Sequence, residues 1–141
     1  MQTGRQLQLA AVAFAGATLL GSVVSMRDNV RGEPLGLRVP LSIPTALLAG
    51  WGGGVAAPWP MAAAAVVAAT RPASPRTRAL ICAGIGAACI AGTLAEPVTR
   101  RPGTWTAGMR LAILANMAAS VAMIGLSLTP PRRGSLGSDE F

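Results

Sequence analysis

The chain contains no histidine, no lysine and no tyrosine, and only two of its 141 residues are cysteine and five acidic. Each shortage narrows the field. Without histidine the common nitrogen ligand of zinc and haem is missing, so neither a metal nor another cofactor is expected. Cys82 and Cys89 lie seven residues apart in one apolar block. On a helix they would share a face but sit about 10 Å apart along the axis, too far for a disulfide. They read as small packing residues. The lack of tyrosine, with Phe14 inside an apolar block, leaves few aromatic platforms for single-stranded nucleic acid. The net charge of +7 comes from twelve arginines that sit between apolar blocks. Basic residues in that position suit lipid headgroups, and nucleic acid is not an expected partner.

Charge is also scarce overall. Charged residues make up 12% of the chain, about half the usual share of about 25% in soluble domains. Hydrophobic residues make up 52%, and the mean hydropathy is +0.52. A soluble protein this short needs a polar surface, and the polar residues here are too few to cover one. The pattern predicts an all-α integral membrane four-helix bundle with lipid as its solvent.

Four apolar blocks carry that expectation. The first, residues 7–26, is flanked by Arg5 and Arg27. It resembles a secretory signal, with Val23-Val24-Ser25 as a small-residue cleavage site. Its length of about 20 residues suffices to span a bilayer, and it is read as a retained first helix. The second, residues 41–70, is longer than a span requires. Gly50, Gly52, Gly53 and Gly54 surround Trp51, and Pro58-Trp59-Pro60 follows. Such punctuation predicts one bent or interrupted span, since each half is too short to cross alone. The third block, residues 79–95, sets Gly84, Ala88 and Gly92 at four-residue intervals, a stripe suited to close helix contact. The fourth, residues 111–128, carries Asn116 near its start and is stopped by Pro130-Pro131. Residues 1–131 thus form one four-span domain, and the Gly/Ser-rich residues 132–141 are expected to be a flexible tail.

Four spans place both termini on one side of a cell membrane. Arg5, Arg71, Arg76, Arg78, Arg132 and Arg133 fall on that side, against Arg27, Arg31, Arg38, Arg100, Arg101 and Arg110 on the other. The tie leaves only the acid-free loop at 71–78 to favour a cytoplasmic location for the termini.

The acids are distributed less evenly. Asp28, Glu33 and Glu96 all belong to the side opposite the termini, in the connections 27–40 and 96–110. These connections must meet at one mouth of the bundle, together with Trp105 and Trp59. Carboxylates, guanidiniums and an indole above an apolar interior suit an amphipathic small molecule. Glu96, Asp28 and Glu33 are candidate acid–base groups, and Arg100 and Arg101 candidate partners for developing charge. The plainer reading is that loop charges are solvated and interfacial Trp forms the usual belt. Glu96 stands apart because it abuts the apolar span, where an ionisable group is costly. Asn116 is either a hydrogen-bonding bridge between helices or a group that orients a substrate. Arg110, Trp51 and Trp59 complete the candidate binding residues. The 50–54 glycine run lacks the lysine of a phosphate loop; it suits close approach of another helix or a ligand to the backbone.

The stretch Glu96-Pro97-Val98-Thr99-Arg100-Arg101, then Trp105, then Arg110 at the head of the last block, resembles the small four-helix membrane proteins related to anthrone oxygenases. The resemblance spans residues 96–128. In that family a Pro-x-Asn-Arg-like stretch precedes a Trp and an Arg that open the final helix; here Thr99 stands in place of the Asn, and no histidine accompanies Trp105. The resemblance implies a metal-free membrane enzyme acting on a lipophilic, often polyketide-like, substrate. With the histidine missing, it implies acid–base work by Glu96 with Arg100 or Arg101.

Three functions follow. The first is an enzyme performing isomerisation, cyclisation, epoxide opening or cofactor-free oxygenation on a polyketide- or isoprenoid-like molecule. The second is a non-catalytic accessory subunit or scaffold, held to a membrane protein partner or to copies of itself. The third is a small transporter, disfavoured because the blocks 7–26 and 79–95 contain no ionisable residue.

Overall fold

The computed structural model describes residues 2–129, so the tail at 132–141 lies outside the described residues. Within them the regular elements are helices: α1 (Gln2–Arg27), α2 (Ile43–Ala49), α3 (Trp59–Thr70), α4 (Pro75–Ala95) and α5 (Ala107–Leu128). Short 3-10 turns occupy Pro34–Gly36 and Pro102–Thr104. Three helices, α1, α4 and α5, are long and apolar enough to cross a membrane.

Local chemistry sets the helix ends. At the C-terminus of α1, Asn29 takes a left-handed φ of 52° and the Val30 N–H donates back to the Ser25 carbonyl at 2.8 Å, the six-to-one bond of a Schellman ending. The Ser74 hydroxyl accepts from the Thr77 N–H at 3.1 Å and Pro75 occupies the first turn of α4, as caps and prolines favour. The helix therefore begins before the expected residue 79 and takes Arg76 and Arg78 into its first turn. Thr106 caps α5 in the same way through the Met109 N–H, which brings Arg110 into that helix.

The second apolar block divides as its glycines and prolines require. The 7 residues of α2 rise about 10 Å and the 12 of α3 about 18 Å. Between them Gly50 adopts a φ of 91°, which ends α2, and residues 50–58 leave the helical path. This break folds inward. Gly53 bridges to Arg31 and to Ala56, and Gly52 to Ala57 are all buried.

α1 packs against α5 and α3, and α4 packs against α5 and α3. Close approach depends on glycine at two points. A Cβ on Gly21 of α1 would collide with the carbonyl of Val55 in the break. One on Gly86 would lie 2.8 Å from the Ser120 carbonyl of α5. The expected contact stripe of α4 is turned elsewhere, because a Cβ at Gly84 or Gly92 meets nothing within 4 Å. Cys82 and Cys89 are free and buried, beside Phe14, Ala65 and Met123 in the main core. A second cluster of Val24, Val55, Met109, Ala112 and Ile113 fills the end nearest the loops.

Candidate functional site

Glu96 is the residue around which the loops gather. It follows the last residue of α4 and precedes Pro97, which cannot extend the helix. Its side chain turns inward and the residue is only 7% exposed. One carboxylate oxygen, Oε2, accepts the backbone N–H of Glu33 at 2.9 Å. This bond links the connection after α1 to the end of α4. Burial raises the Glu96 pKa from 4.5 to about 7; the Glu33 N–H opposes the rise and the nearby Glu33 carboxylate adds to it. Near neutral pH the group is therefore poised to give or take a proton.

Two hollows meet at this carboxyl. The inner one, about 140 Å³ in volume, lies among the break, α3, α4 and α5. Its walls are apolar except for Glu96 at one end, Thr93, and Asn116. Trp51 also lines it and donates its indole N–H to the Gly32 carbonyl at 3.1 Å. The outer hollow, about 230 Å³, is polar and is bordered by Arg31, Glu33, Glu96, Arg101 and Thr104. A proton on Glu96 can thus face an apolar chamber on one side and guanidiniums on the other.

Asn116 is 2% exposed. Its amide nitrogen donates to the carbonyls of Ala112 at 3.1 Å, Ala17 at 3.3 Å and Val55 at 3.4 Å. It therefore ties α5 to α1 and to the break, as a bridging polar residue should. Its Oδ1 has no partner, although Asn116 lines the inner hollow. Buried acceptors left unpaired are rare and call for an explanation.

The remaining candidates separate into those brought to Glu96 and those held elsewhere. Glu33 and Arg101 join Glu96 in the outer hollow, and Glu33 pairs with Arg38 at 3.1 Å. Arg100 is exposed and lines neither hollow. Asp28 pairs with Arg27 at 3.2 Å and accepts from the Thr106 hydroxyl at 2.8 Å, so it braces the α5 cap. Arg110 is exposed on the first turn of α5. Trp105 donates its indole N–H to the Val98 carbonyl at 2.7 Å and packs on the loop-end cluster. Trp59 packs between two core clusters outside both hollows.

Arg31 and Thr93 were not singled out by sequence. Arg31 reaches the site through its bridge to Gly53, a long-range pairing with no local signature. Thr93 lies three residues before Glu96, and that helical spacing was a usable signal. Buried hydroxyls at Thr18, Ser22 and Ser25 on α1 and Ser120 on α5 also mark inward faces by their spacing of three and four. Among the described residues no three of His, Cys, Asp and Glu gather as a metal site. No protein-family model, no curated protein and no solved structure matches this chain.

Proposed function

We propose that this chain is a small integral membrane protein of four-helix-bundle form that binds the end of a lipophilic molecule in the inner hollow and acts on it by acid–base chemistry at Glu96. The observation that carries this reading is the position of Glu96 as a wall common to an apolar chamber and an arginine-bordered one. In the proposed reaction Glu96 exchanges a proton with the substrate, while Arg31 and Arg101 stabilise negative charge that develops toward the outer hollow. Isomerisation, cyclisation and epoxide opening all fit those roles. The resemblance of residues 96–128 to the anthrone oxygenase-related family points the same way and adds cofactor-free oxygenation to the range.

Support for the membrane setting comes from the outward faces. Leu9, Val12, Leu19, Leu80, Leu111, Leu114 and Val121 are each more than half exposed, an apolar surface beyond what soluble monomers carry. The break at 50–58 fits the same setting. At about 18 Å, α3 is too short for a hydrocarbon core of about 30 Å, and non-helical backbone is tolerated at depth where protein buries it. Residues 52–57 are buried in that manner. We propose a cell-membrane location with both termini on one side, the side of Arg71, Arg76 and Arg78, facing the cytoplasm.

The test is native mass spectrometry of the protein extracted in mild detergent. A discrete co-purified lipophilic molecule, retained by the wild type and altered in occupancy by Glu96→Gln, is the expected result. Protein that carries no such molecule and remains bound to a partner chain would instead establish the second reading, an accessory subunit or scaffold. That reading is favoured by one observation, the open small-residue face at Gly84 and Gly92 of α4.

A further inference from the structure

The size of the inner hollow limits what it can enclose. An apolar cavity of about 150 Å³ holds a molecule the size of benzene, and this one measures about 140 Å³. A polyketide- or isoprenoid-sized molecule can therefore seat only a ring-sized end, and the rest must leave through an opening.

The opening is identified by residues that are both wall and surface. Ala88 and Gly92 of α4 line the hollow and are exposed, with Met61 of α3 as the lining residue from the neighbouring helix. Nothing lies within 4 Å of a Cβ placed on Gly92. The hollow thus reaches the apolar flank of the protein between α3 and α4, at a point where the helix carries no side chain.

The inner end is defined by Asn116. Its amide N–H groups are directed at three backbone carbonyls, which fixes the orientation of the amide and leaves Oδ1 as the unpaired acceptor. An acceptor requires a donor, and a ketone or an ether cannot supply one. A hydroxyl can.

We infer that the occupant is a single-tailed lipophilic alcohol or phenol, seated with its hydroxyl on Asn116 Oδ1 and its tail passing Gly92 into the bilayer between α3 and α4. This inference rests on the reading of the inner hollow as a lipophile site. It restricts the substrate class to amphiphiles whose hydroxyl enters first and whose tail never leaves lipid.

The experiment uses full-length protein in phosphatidylcholine nanodiscs and three probes: 4-hexylphenol, 4-hexylanisole and 4-methylphenol. Wild type should bind 4-hexylphenol at least tenfold more tightly than 4-hexylanisole, and the same ratio should persist in Glu96→Gln. Gly92→Leu should weaken 4-hexylphenol at least tenfold yet change 4-methylphenol less than threefold, because only the longer probe has a tail to obstruct. Gly84→Leu, on the same helix but outside the hollow, should leave all three affinities unchanged. Equal weakening of the hexyl and methyl phenols by Gly92→Leu would show that the new side chain fills the hollow, and would overturn the exit route. A phenol-to-anisole ratio that collapses in Glu96→Gln would move the hydroxyl from Asn116 to Glu96 and overturn its placement. In both cases the site reading survives. Failure of wild type to bind any of the three probes would overturn the site reading and the inference together.

Discussion

Replacement of Glu96 by glutamine isolates the energetic consequence of burying this carboxyl. The group sits at about 7 in the folded chain against an ordinary 4.5. Between those values the folded state keeps a proton that the unfolded state has lost, so stability falls as pH rises. The contribution is fully present below about pH 4.5, declines through the interval and is gone above about pH 7. Its size, at 1.36 kcal/mol for each tenfold change in proton affinity, is about 3 kcal/mol. Glutamine retains an oxygen for the Glu33 N–H and removes the ionisation. The wild type and Glu96→Gln should therefore have similar thermal stability at pH 4.5, and the variant should be the more stable at pH 8. For a chain of this length about 3 kcal/mol corresponds to a difference on the order of 10 °C. Cys82 and Cys89, both free and buried, provide the assay, since a thiol-reactive fluorophore reports their exposure as the detergent-solubilised protein opens. Identical pH dependence of the two melting curves would refute the reasoning, for it would mean that Glu96 ionises as freely in the folded protein as in the unfolded one.

Three further outcomes are expected. Gly21→Val should lower stability by about 1–3 kcal/mol through overpacking against Val55, whereas Gly84→Val should stay within about 1 kcal/mol because its site is open and the change costs only helix propensity; the same thiol-exposure melt distinguishes them. Asn116→Leu removes hydrogen bonds to Ala17 and Val55 and should destabilise by about 1–2 kcal/mol, with faster amide exchange around residue 55. Trp105→Phe leaves the Val98 carbonyl without its indole donor and should cost about 1 kcal/mol, measured by the same melt at pH 5, where Glu96 is protonated.

Much of the helical architecture was legible because its signals are local. Ser74-Pro75 marks the start of α4, and the Gly50 and Pro58–Pro60 punctuation locates the break between α2 and α3. Glu96 stood out by adjoining an apolar block, and the structure buries it. What was illegible depends on contacts between distant segments. Arg31 rather than Arg100 borders the outer hollow because a backbone bridge to Gly53 places it there. Trp51 rather than Trp59 lines the inner one because the break turns inward against Gly21 and Ser25. The α4 glycines illustrate the same limit. A four-residue stripe announces a small-residue face, but only the rotation of the helix decides that Gly86 meets α5 while Gly84 and Gly92 stay open.

The inward break also constrains the order in which the chain can assemble. Its fold draws on Ser25 and Arg31 upstream and on Asn116, whose bond to Val55 spans 61 residues downstream. The segment from 41 to 70 therefore enters the membrane before the residue that pins it has been synthesised. Until α5 arrives, the nascent protein holds an apolar segment whose glycine-rich centre has only α1 and the following loop for support. Completion of the chamber, and with it any capacity to hold a substrate, belongs to the final helix. A chain arrested before α5 would carry Glu96 and lack the chamber beside it.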